Sequence, residues 1–188
     1  MISSFGCVRS ARAALVGCSL QLFVLILNVS SAAANENRWG FGNDLGLTTG
    51  TVDNTVFTLG LNLDYYPDPN FSIGPMMQIS PMGDLFQISF AGVGRYHIRF
   101  NNRINLVPYT GIGLIHVDLD KGTGPGSIDR NDTSWLIPIG LSLEYQAVRN
   151  IALSSTLQVN LHDINLSPSL PQNDHTSIAL LFGIRWGP

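Results

Sequence analysis

A strict period of two along the chain turns four charged residues to one side: Asp64, Arg95, Glu144 and Arg185. Their signs alternate in chain order, and two chemistries follow from that. A ring of unpaired charges would select ions on a solute path. Charges that pair across a narrow space would close it, because an unpaired buried charge is costly. The expectation is one structural layer of paired charges.

Other candidate groups offer less. His97, His116, His162 and His175 are scattered, and no two have metal-ligand spacing. Asp118-Leu119-Asp120-Lys121-Gly122 alternates carboxylates as a calcium loop does, but Thr123 stands where such a loop carries glycine. That stretch reads as a solvated loop. His175-Thr176-Ser177 sets a base beside a hydroxyl nucleophile, yet no Asp or Glu follows Ser177, which leaves Asp163 or Asp174 to supply an acid. The register turns His175 and Ser177 to the inner side. No catalytic residue, metal site or cofactor is assigned.

Strands must position these residues, and Ser134 to Gln146 sets the pattern. Trp135, Ile137, Ile139, Leu141, Leu143 and Tyr145 fall on one face, and a smaller or polar set ending in Glu144 falls on the other. Aromatics at both ends with aliphatics between suit a strand that crosses a bilayer. Seven more stretches read likewise, giving an all-β chain: an eight-stranded antiparallel up-and-down transmembrane β-barrel. Strand two alternates without fault from Phe57 to Tyr65. Strand three carries Pro75, which weakens it because proline lacks a ladder donor. Strand five, from Ile104 to Val117, does not reveal its facing, and the longest loop is expected over Asp118 to Thr133.

Two regularities orient the strands. Connections after strands two, four and six are short, whereas those after five and seven are long, which is the pattern of periplasmic turns and external loops. Trp39, Tyr65, Tyr96, Tyr145 and Trp186 then form a girdle at the short-turn rim, with Phe57, Phe86 and Trp135 a thinner one opposite. A soluble barrel with the apolar set inside would expose a face of Gly, Ala, Ser and Thr with few charges, and would dissolve poorly.

Composition agrees with a membrane barrel. Of 188 residues, 45% are hydrophobic and only 12% charged, with 19 glycines and a net charge of −3. A single Lys leaves no basic surface for nucleic acid. Arg9 and Arg12, the apolar run Leu20 to Val29 and the small residues to Ala34 read as a signal peptide over 1–34, with the barrel over 35–188. Cys7 and Cys18 both fall within that leader, so the exported chain has no thiol chemistry.

Eight strands, the leader, the girdles and the segments Pro108-Tyr109-Thr110-Gly111-Ile112-Gly113 and Gly140-Leu141-Ser142-Leu143-Glu144-Tyr145 resemble the small OmpA-type and OmpX-type outer-membrane barrels. The resemblance implies a bacterial outer-membrane location and, as partners, outer-membrane lipid and the barrel-assembly machinery. Such barrels usually end on an aromatic residue; here Gly187 and Pro188 follow Trp186. Some small barrels resemble lipid A deacylases, which use a His, a Ser and an acid. The expected role is structural or surface-interacting, with a plugged or narrow lumen. A small-solute channel and a lipid A-modifying enzyme stand as alternatives, and a surface ligand is not specified.

Overall fold

The alternation in the sequence becomes eight long strands joined edge to edge. The computed structural model describes residues 38–51, 54–82, 85–121, 128–164 and 174–188. The strands are β1 (Trp39–Thr51), β2 (Asn54–Asp68), β3 (Phe71–Met82), β4 (Leu85–Tyr96), β6 (Ile104–Lys121), β7 (Ile128–Val148), β8 (Ile151–Ile164) and β9 (Asp174–Trp186). The two-residue β5 (Ile98–Arg99) adds a step beside β6. Consecutive long strands pair antiparallel, β4 with β6 among them, and β1 also pairs β9, which closes the sheet into a barrel. The leader expected over 1–34 lies outside the described residues.

Facing follows the period. Ile139 and Phe182 are 48% and 57% exposed, whereas Glu144 and Arg95 are 7% and 3% exposed. The large apolar set is therefore outside and the charges inside, as a lipid-embedded barrel requires. A barrel of eight strands leaves room inside only for its own side chains.

Three expectations need correction. The loop expected over Asp118 to Thr133 is mostly ladder, because β6 continues to Lys121 and β7 begins at Ile128. The acidic residues there hid a good alternation in which Val117 and Leu119 point inward. For the same reason Asp118-Leu119-Asp120-Lys121 is strand and not loop. Finally, the lumen is not polar throughout. The inward residues of β6 include Val107, Tyr109, Ile115, Val117 and Leu119, all buried, and alternation had been silent about this strand because both of its faces are apolar.

Pro75 keeps its strand. The β2–β3 ladder skips Leu63 and Asp64, opposite Pro75 and Gly74, and resumes in unchanged register at Tyr65↔Ile73. On its other side Pro75 still faces Gly92 of β4. A missing donor thus costs a rung and not the register.

Candidate functional site: the lumen and its two mouths

Each strand presents a buried residue to the lumen at every second position, so register decides which side chains share a level. Near the short-turn rim, β2 brings Asp64, β4 Arg95, β7 Glu144 and β9 Arg185. Arg95 and Asp64 form an ion pair with both side chains 4% exposed. Arg95 also donates from Nη2 to Asn62 Oδ1 at 2.6 Å, and its guanidinium carbon lies 5.5 Å from the centre of the Tyr109 ring.

Arg185 reaches a partner that the sequence reading left out of the layer. Its Nη2 donates to Asp44 Oδ2 at 3.0 Å, while Nη1 stands 4.0 Å from Asp64. Asp44 is the hub: it also accepts from Asn62 Nδ2 at 2.7 Å and from Ser154 Oγ at 3.3 Å. Glu144 is set apart, with His97 Nδ1 at 3.9 Å from its carboxylate. His97 lies beyond the end of β4, and its Nε2 is 3.0 Å from Ser72 Oγ. Burial, then the cations of Arg95, Arg185 and Arg99, push the His97 pKa down to about 4. At neutral pH the imidazole is therefore uncharged, and its contact with Glu144 is not an ion pair.

Glycines make the space for this network. A Cβ at Gly42 would lie 2.7 Å from Arg185 Cδ, and one at Gly183 would meet the Asp44 carboxylate. One at Gly140 would fall within the Tyr109 ring. Glycine serves here because another group occupies the place of its side chain.

Above the charges lies a layer of neutral amides. Gln78 on β3 and Gln158 on β8 exchange bonds, Nε2 of each donating to Oε1 of the other at 3.0 and 3.1 Å. In the strand order β3 and β8 are four staves apart, so this pair crosses the full width of the barrel. Tyr109 donates its hydroxyl to Gln158 Oε1 at 2.7 Å, and Gln158 Nε2 also donates to Asn160 Oδ1 at 2.5 Å. Toward the far rim, Val56, Ile115, Val117, Leu119, Leu136 and Ile164 belong to an apolar cluster, and the hydroxyls of Thr48, Thr58 and Ser80 are linked at the same end.

The lumen opens at the short-turn rim into a vestibule of about 510 Å³, with Tyr66, His97, Glu144 and Arg185 among its walls. At this rim Trp39 and Tyr65 sit opposite each other in register with ring centres 5.0 Å apart, and Trp186 stacks on Phe41 at 5.9 Å. Tyr96 and Tyr145 are 54% and 44% exposed there, and Phe57, Phe86 and Trp135 are exposed at the far rim.

The hydroxyl and the base suggested by His175-Thr176-Ser177 are not brought together. Ser177 is buried in the lumen, where its Oγ accepts from Asn160 Nδ2 at 3.3 Å. His175, expected to point inward, is exposed instead and lies 3.2 Å from Asp163. A shift of register between Leu161 and Ile164 sets the two residues His162 and Asp163 against His175 alone, a bulge beside which β8 keeps its alternation and His175 of β9 faces outward. Among the described residues no three His, Cys, Asp or Glu side chains gather as a metal site.

Asp44, Tyr109, Gln78 and Gln158 were missed as members of one network. Asp44 lies on the inward face of its strand, so the signal was present; the amides carry no charge to draw notice.

No protein-family model and no curated protein sequence matches the chain. Solved structures do match. Neisserial surface protein A aligns with a TM-score of 0.63 at 13% identity, over 81% of this chain and 98% of that one. Ail, the attachment invasion locus protein of Yersinia pestis, gives 0.53 at 11% identity over 79% and 95%. The N-terminal β-barrel domain of Pseudomonas aeruginosa OprF gives 0.53 at 13% identity over 80% and 97%. The chain has the fold of the small eight-stranded outer-membrane β-barrels.

Proposed function

We propose that the chain is an integral protein of the bacterial outer membrane with a structural or surface-interaction role, and that its lumen is closed to solutes. The observation that carries the reading is the reciprocal Gln78–Gln158 bond across the barrel, backed by the Tyr109 hydroxyl on one side and the Asp44, Asp64, Arg95 and Arg185 network below. A solute on this path would have to break several buried hydrogen bonds at once, each left without a replacement. The lumen is in that sense a core. Outer-membrane lipid bathes the exposed apolar staves, and the barrel-assembly machinery delivers the chain there.

Planar-bilayer recording tests the closed lumen. The expected record is flat for the native protein, with brief openings when Gln78→Ala and Gln158→Ala are combined. Steady single-channel steps from the native protein would establish the channel reading instead. Release of an acyl chain from lipid A by the pure protein, abolished by Ser177→Ala, would establish the enzyme.

A further inference from the structure

Charge on the outside of the barrel is sorted between its two ends. Four exposed arginines occupy the short-turn rim: Arg38 ahead of β1, Arg99 and Arg103 between β4 and β6, and Arg149 between β7 and β8. Among the described residues the exposed acid at this rim is Asp68, whose Oδ1 is taken up by the Asn70 N–H at 2.8 Å within its own turn. At the far rim, among the residues whose side chains are described, the strands carry Asp118, Asp132 and Asp163 and no Lys or Arg.

Each arginine is next in sequence to an exposed apolar or aromatic residue or, for Arg103, in contact with one. Arg38 precedes Trp39 (51% exposed), Arg99 precedes Phe100 (66%), and Arg149 follows Val148 (57%). Arg103 Nη1 donates to the Tyr145 hydroxyl at 3.4 Å. Guanidinium groups at the same level as exposed apolar and aromatic residues, at three places round one girdle, match the level where lipid phosphates meet acyl chains. Guanidinium binds phosphate through paired parallel hydrogen bonds.

We propose that this rim is a collar for anionic phospholipid headgroups, with Arg38, Arg99, Arg103 and Arg149 holding the phosphates of the leaflet that the short turns face. The proposal rests on the membrane reading above and adds a headgroup class and a side. The far rim, being acidic, lacks the same attraction. The collar therefore gives the two ends of the barrel different lipid neighbours.

The tryptophans supply the test, since Trp39 and Trp186 lie at the collar and Trp135 at the opposite girdle. The full chain is refolded into phosphatidylcholine vesicles containing phosphatidylglycerol, with bromine on the acyl chains of one lipid or the other. With Trp135→Phe the collar side reports alone; with Trp39→Phe and Trp186→Phe the far side does. Brominated phosphatidylglycerol is expected to quench the collar tryptophans at least about threefold more effectively than Trp135, since an arginine near an anionic surface contributes about fivefold. Replacing the four arginines by glutamine should abolish the difference, and replacing them by lysine should retain much of it. Equal quenching at both rims, or a preference that survives the glutamine variant, overturns the collar. So does capture by purified peptidoglycan with no lipid preference, which would make the cell wall the partner. Failure to insert into either vesicle, seen as loss of a heat-modifiable gel band, would overturn the membrane reading itself.

Discussion

The lower and upper halves of the lumen solve one problem by opposite means. Below, Asp44, Asp64, Arg95 and Arg185 fill the space with charges that cancel and hydrogen bonds that fix direction. Above, Ile115, Val117, Leu119 and Leu136 on β6 and β7 fill it by shape, beside a neutral polar set in which the hydroxyls of Thr48, Thr58 and Ser80 are linked. An ionic filling is intolerant of losing one member, because the remaining charge cannot leave. An apolar filling loses contacts in proportion to the volume removed. The comparison teaches that a closed barrel needs no single kind of interior. It needs only that each level be complete.

Removing a charge should have the largest effect. Asp64→Ala leaves Arg95 buried without its carboxylate and is expected to cost about 3–5 kcal/mol, measured by urea unfolding of the refolded protein. Asp64→Leu combined with Arg95→Met should recover most of that loss, since a buried pair is often replaceable by apolar groups. A double variant as unstable as the single one would show that the network, and not the stranded charge, carries the stability.

Truncating the upper half comes next. Leu136→Ala, at 1% exposure, should cost about 2–3 kcal/mol through the cavity it leaves. A loss as large as that of Asp64→Ala would break the contrast between the halves. Between them, Gln158→Ala strands Gln78 and the Tyr109 hydroxyl and should cost about 1–3 kcal/mol.

A last effect appears only as the pH is changed. His97 is held neutral in the fold to about pH 4, while in the unfolded chain it protonates near 6.5. Between those values the unfolded chain binds the extra proton, so stability falls as pH drops through that window and levels off below it. His97→Gln should remove this component from the pH profile of the unfolding midpoint.

Much of this was legible from spacing alone. The faultless alternation from Phe57 to Tyr65 sets the facing of β2, and with it the inward side of Asp64, before any coordinates are needed. The inward placement of Arg95, Glu144 and Arg185 follows from the same period. What spacing could not give is partnership. Asp44 and Glu144 are both inward carboxylates, yet Arg185 bonds Asp44, because Gly183 and Gly42 clear the room between neighbouring strands. Nor could it give the upper lumen, where both faces of β6 are apolar and a period of two has no contrast to display. The bulge at His162–Asp163 escaped for a related reason: β8 keeps its period through it, and only the pairing with β9 reveals the extra residue.

The ladder between β1 and β9, from Phe41↔Trp186 to Thr49↔Ile178, joins the strands farthest apart along the chain. Ribosomal order therefore cannot set folding order, since the seam can be sewn only after β9 has been made and delivered. Until then β1 and β9 each expose a row of unsatisfied amides, a template for pairing with a second copy. Such a chain has to stay unpaired until its last strand is in place, and a nonsense codon ahead of residue 178 would yield an open, aggregating sheet in place of a smaller barrel.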